Sequence, residues 1–153
     1  MAYSLIEQLS RDLDIFFLDN NKIIHLASGC GILPEGLLET DIYNDSVLST
    51  IFQNNLNLEV DINPNLTDIL NLDNQGLNNY LVSFMDIAKR GFYTYDKTRL
   101  GNNEDFDFHL VAKPKSPLRR GDIFETYKIK QELITSKHTI PDDFTIFNLR
   151  EFI

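Results

Sequence analysis

DNQGLNNYLVSFMDIAKRGFYTY, residues 73 to 95, is the stretch on which the fold turns. Leu77, Tyr80, Leu81, Phe84, Met85 and Ala88 recur at i, i+3, i+4, i+7, i+8 and i+11, so they fall in one stripe at the helical period. Asp73 or Asn74 can accept hydrogen bonds from the open N–H groups at the start of this helix. Lys89 and Arg90 oppose its dipole at the end, and Gly91 can take the left-handed conformation that stops it. The run Phe92-Tyr93-Thr94-Tyr95 that follows is β-branched and aromatic, which favours a pleated surface over another helical turn.

Working outward, a turn-rich segment from Asp96 to Asp105 leads into a second strand. There Phe106, Phe108, Leu110 and Ala112 alternate with Asp107, His109, Val111 and Lys113, and Pro114 ends the ladder by removing a donor. Helix plus hairpin is the expected core unit.

Upstream, Ser4 and Glu7 have capping-box spacing, and Leu5, Ile6, Leu9 and Leu13 can share one face, predicting a helix over 4–12. Apolar runs at 14–18 and 22–27 flank Asp19-Asn20-Asn21 and read as a hairpin. His25 lies in its second strand on the face of Ile23 and Ala27, where it is expected to be structural. Asn44 or Asp45 can cap a short helix carrying Val47, Leu48, Ile51 and Phe52. Leu56, Leu58, Val60 and Ile62 then alternate strictly with Asn57, Glu59, Asp61 and Asn63, predicting a strand with a core face and an acidic, amide-rich face. Residues 122–136 suit a helix capped by Asp122, although Ile123, Glu125, Tyr127 and Ile129 would also alternate as a strand. Pro141, Asp142 and Asp143 resemble a first helical turn, behind which a C-terminal apolar segment can dock.

Together these elements predict a single α+β domain over 1–153 with a mainly antiparallel sheet, helices packed on one face and a helical C-terminal appendage. Residues 113–121 form an exposed basic, Pro-containing linker before that appendage. No apolar run approaches the roughly 20 residues of a membrane-spanning helix. Glu7 interrupts the N-terminus before the apolar core of a secretory signal could develop. The single cysteine, Cys30, excludes an intramolecular disulfide. A cytoplasmic protein with no membrane partner is the expectation.

The net charge of −9 is unevenly placed. Residues 1–86 carry thirteen carboxylates against Arg11 and Lys22, whereas residues 87–153 carry ten against twelve Lys or Arg. From Ile23 through Ala88 there is no Lys or Arg, so this stretch repels phosphate and attracts basic groups, and direct nucleic-acid binding through it is disfavoured.

Three segments are candidates for chemistry. Glycines flank Cys30 in Ser28-Gly29-Cys30-Gly31, a geometry that leaves a thiol accessible at a strand end, but an activated thiolate needs a cation, a helix N-terminus or one of His25, His109 and His138 beside it. Asp61-Ile62-Asn63-Pro64-Asn65 begins like a calcium loop and fails at Leu66 and Leu72, where glycine and a bidentate glutamate are required. No metal or cofactor is expected. Glu59 and Asp61 project from one strand face roughly 7 Å apart, suited to a basic partner. Arg119 and Arg120, with Lys113 and Lys115 in the same 113–121 linker, mark the one place where an anion could dock, or where the acidic half of the same chain or of a second copy could pair. The leading expectation is therefore a non-catalytic acidic protein-binding module, such as an inhibitor or immunity-type protein that neutralises a basic partner. The alternative is a small enzyme or ligand-binding domain using Cys30 with a nearby histidine.

Overall fold

A computed structural model describes residues 2–54 and 56–153. In chain order its elements are α1 (Leu5–Ser10), β1 (Asp14–Asp19), β2 (Lys22–Ala27), a 3-10 segment (Glu35–Ile42), α2 (Asn44–Ile51), β3 (Val60–Ile62), α3 (Leu66–Leu70) and α4 (Asn74–Ala88). These are followed by β4 (Tyr93–Lys97), β5 (Asp107–Pro114), α5 (Arg120–Tyr127), β6 (Phe147–Asn148) and a 3-10 turn (Leu149–Glu151). The strands form one sheet in the order β1-β2-β4-β5-β3, with β6 also pairing with β5. This is an α+β fold, and all pairings are antiparallel except β2 with β4, which run parallel and make the sheet mixed.

Both faces of the sheet are covered. Phe16, Leu18, Ile23, Phe92 and Val111 meet α2, α4 and α5, whereas Ile15, Phe17, Ile24, Leu26, Tyr95 and Leu110 meet the 3-10 segment and the C-terminal stretch through Ile140, Phe147 and Leu149. Helices do cover one face, as expected. The other is closed by a C-terminal chain that is not a helical appendage: Phe144 adopts φ 66, residues 147–148 pair with β5, and only a 3-10 turn follows. Pro141 therefore begins no helix. Extended backbone at this point lets β6 extend the sheet while its apolar side chains cover it.

The central unit forms as its periodicity predicts. Asp73 caps α4 by accepting from Gly76 N–H at 2.7 Å, and Gly91, at φ 107, turns the chain into β4. The hairpin at the start closes through Asn20 at φ 53.

Other expectations are corrected. Ser4 and Glu7 make the expected capping box, but α1 ends at Ser10 and leaves Leu5 56% and Ile6 79% exposed. The residue it buries is Gln8, whose amide oxygen accepts from Leu33 N–H at 2.9 Å and so ties the helix to the following loop. Asn44 caps nothing. It is buried, and its Oδ1 accepts from Phe16 N–H at 2.9 Å. The strand expected at Leu56–Asn63 pairs as a strand only over Val60–Ile62, and Ile62 is 39% exposed because β3 lies at the sheet edge, where among the described residues no further strand pairs with it. Residues 122–136 divide: α5 stops at Lys128, which adopts φ 53, and Thr135 forms a parallel bridge with Leu18. Asp122 lies inside the first turn of α5 rather than capping it.

Candidate functional site

Two features concentrate polar chemistry. The first is a buried network beneath α4. Asp96 on β4 lies opposite His109 on β5, and Tyr80 descends onto both from the apolar stripe of the helix. Tyr80 Oη donates to Asp96 Oδ2 at 2.7 Å and lies 3.3 Å from His109 Nε2, while Thr98 Oγ1 lies 3.0 Å from His109 Nδ1. Because the tyrosine proton goes to Asp96, Nε2–H donates to Tyr80 and Nδ1 accepts from Thr98, a set satisfied by neutral imidazole. The remaining oxygen, Asp96 Oδ1, accepts from Lys97 N–H at 2.8 Å.

Burial sets the protonation of this cluster. It raises Asp96 from 3.8 to about 7 against the opposing Tyr80 hydrogen bond, and it lowers His109 from 6.5 to about 4. Burial and then the Asp96 charge hold the Tyr80 phenol far above its ordinary range. At neutral pH the network thus combines a partly protonated carboxyl, a neutral imidazole and a phenol that keeps its proton. All three are engaged with one another. Sequence periodicity places Tyr80 in a core stripe and Asp96 in a turn, but the turn starts after Lys97. Only the β4–β5 register brings Asp96 to His109.

The second feature is the loop after β2. Cys30 is half-buried at φ 56, between Gly29 and Gly31. Side chains at either glycine would crowd Lys97: a Cβ at Gly29 would lie 2.7 Å from Leu100 Cδ2 and 3.0 Å from Lys97 Cβ, and one at Gly31 would lie 3.0 Å from Lys97 Nζ. The glycines therefore make room for a buried lysine, whose ammonium donates to the Asp105 carbonyl and whose pKa burial lowers. The structure thus supplies a cation to a loop that has none nearby in sequence. It does not supply a histidine: His25 Nε2 is 2.7 Å from Asp14 Oδ1, His109 serves the network, and among the described residues no histidine ring hydrogen-bonds Cys30. His25 is buried between Phe16 and Phe84, its other nitrogen without a partner among the described residues.

The candidate partner-binding residues fall in two places. Glu59 is exposed just before β3, and Asp61 lies opposite Lys113 in the ladder. Strict alternation along β5 would set Lys113 on the face of His109. A register shift between Thr94 and Tyr95 reverses the alternation, so the Lys113 ammonium reaches the Asp142 carbonyl at 2.9 Å and the Phe144 ring on the other face. Arg119 and Arg120 are exposed where α5 begins and line an open cleft with Asn21, Asp122 and Glu125. Glu59–Asp61 and Arg119–Arg120 are not paired with each other among the described residues.

No family model, curated protein or solved structure matches the chain. Among the described residues no helix is long and apolar enough to cross a membrane.

Proposed function

We propose that the protein is a non-catalytic binding module whose acidic first half engages a basic protein, in the manner of an inhibitor or immunity-type protein. One observation carries this reading: among the described residues, none of the nine carboxylates between Ile23 and Ala88 takes part in an ion pair. Glu35, Glu39, Asp45, Glu59, Asp68, Asp73 and Asp86 are all exposed. The basic residues of the second half are not spent neutralising them, so their field is available to steer an oppositely charged surface. Among the described residues the Lys and Arg ion pairs that do form lie elsewhere, at Lys22 with Asp19 and Asp142 and at Arg99 with Asp105 and Asp107, and the His25–Asp14 contact also lies outside this stretch of carboxylates.

The test is affinity capture from the source lysate with low-salt and then moderate-salt washes, followed by association kinetics with whatever is retained. A stoichiometric basic protein released by salt is expected. Charge reversal at Glu59 and Asp61 should slow its association and flatten the salt dependence. Retention of only neutral or acidic proteins, insensitive to salt, would remove the proposal.

A further inference from the structure

The two edges of the sheet are finished differently. On β1 the outward groups of Phe16 and Leu18 are used: Phe16 N–H goes to Asn44, Phe16 C=O accepts from Tyr43 Oη at 2.7 Å, and Leu18 exchanges bonds with Ile134 and Ser136 at 2.7 and 2.8 Å. On β3 the odd-numbered residues face inward. Glu59 C=O accepts from Lys115 N–H at 2.9 Å, Asp61 is opposite Lys113, and Asn63 N–H donates to the Val111 carbonyl at 2.9 Å. Alternation therefore turns the N–H and C=O groups of Val60 and Ile62 away from the sheet. Among the described residues no hydrogen bond reaches them from beyond the edge.

Beside this open edge is a cleft of about 400 Å³ between β3 and α4, lined by Ile62, Leu81, Val82 and Met85 with Asp86 and Lys89. Val82 is 63% exposed. Asp61 and Glu59 occupy the opposite face of the same strand. Lys113, across the ladder, is drawn to Asp142, and Lys115 makes no ion pair with Glu59. A strand added outside β3 would thus alternate its side chains between an apolar cleft and two carboxylates.

We propose that β3 and α4 form a groove for an extended segment of a basic partner, with apolar residues alternating with Lys or Arg. The proposal rests on the acidic-partner reading and specifies its docking site. Main-chain bonds to Val60 and Ile62 hold the segment, the cleft takes its apolar side chains, and Asp61 and Glu59 take its cations. A second copy of this chain does not suit the groove, because two-fold antiparallel pairing of β3 would line up Asp61 and Glu59 of both copies on neighbouring strands.

The probe is a labelled octapeptide of alternating Val and Lys, with a Val and Glu peptide as control, followed by anisotropy and by amide NMR of the full chain. The Lys peptide should bind, shift and protect the Val60 and Ile62 amides, and lose affinity about tenfold on Ile62→Pro, which removes an outward donor but no ladder bond. Val82→Glu should weaken it independently of the backbone. Binding that leaves those amides unchanged and is equal in Ile62→Pro would overturn the groove while leaving an acidic-partner module intact. So would a salt-released basic partner whose affinity survives both substitutions. Concentration-dependent protection of the two amides without peptide would overturn the choice of occupant in favour of self-pairing.

Discussion

At the scale of single residues, Asp96 and His109 pull the pH dependence of stability in opposite directions. Asp96, raised to about 7, contributes native stability that is complete below its ordinary 3.8 and lost as pH rises through about 7. His109, lowered to about 4, contributes stability that is complete above its ordinary 6.5 and lost as pH falls through about 4. Over the shared window the two slopes offset one another, each spanning on the order of a few kcal/mol. Asp96→Asn should therefore uncover stability that climbs between pH 4 and about 6.5, and His109→Gln stability that declines from pH 4 to about 7. Urea midpoints across that range report both, and identical profiles in wild type and variants would show that the pair does not titrate this way. None of this is visible in the sequence, where Asp96 and His109 lie on either side of a turn and only cross-strand register makes them neighbours.

Elements carry a second set of consequences. The hairpin β1–β2 has an outer edge that would otherwise offer unpaired groups to other chains. Tyr43 and Asn44, at the start of α2, and residues 134–136 close it. Tyr43 is 2% exposed and its hydroxyl also accepts from Ile134 N–H, so it links two elements far apart in sequence. Tyr43→Phe removes the donor to Phe16 C=O with little loss of volume. A cost of about 1–2 kcal/mol in chemical denaturation is expected, because a buried carbonyl and N–H lose their partner. Faster hydrogen exchange should appear at Phe16, Leu18 and Ser136 before it appears in β4. An unchanged exchange pattern would mean that Asn44 and residues 134–136 hold this edge without the Tyr43 hydroxyl.

For the whole molecule, the decisive feature is that the C-terminal chain is a structural layer. Ile140, Phe147 and Leu149 are buried against Tyr95, Phe108 and Leu110, and Tyr95 Oη donates to the Pro141 carbonyl at 2.9 Å. Removing residues 143–153 would expose this sheet face to water, and each large apolar side chain left uncovered loses about 1.5–3 kcal/mol of burial. Loss of a cooperative unfolding transition is the expected outcome, monitored by near-UV dichroism and calorimetry. A truncated chain that unfolds as sharply as the full one would assign the C-terminus a passive role. The acidic stretch belongs to the same scale: its carboxylates are spread over the 3-10 segment, α2, β3, α3 and α4, so the field they make depends on how these elements are arranged.

The sequence by itself determined what depends on near neighbours along the chain. The stripe of α4, the Asp73 cap, the Gly91 stop, the capping box of α1, the Asn20 turn and the acidic imbalance all follow from spacing and side-chain chemistry, and with them the α+β class. Tertiary structure alone decided what depends on partners distant in sequence: the parallel pairing of β2 with β4, the bulge that turns Lys113 to the other face, the buried Tyr80–Asp96–His109 network, the place of Lys97 against the Gly29–Gly31 loop, and β3 as an open edge. Period-two alternation says that a strand has two faces, but not whether water or a second layer lies on each. That is why His109, which alternates with the apolar positions of its strand, is nonetheless fully buried, while Ile62 reads as core and stands at the rim of a groove.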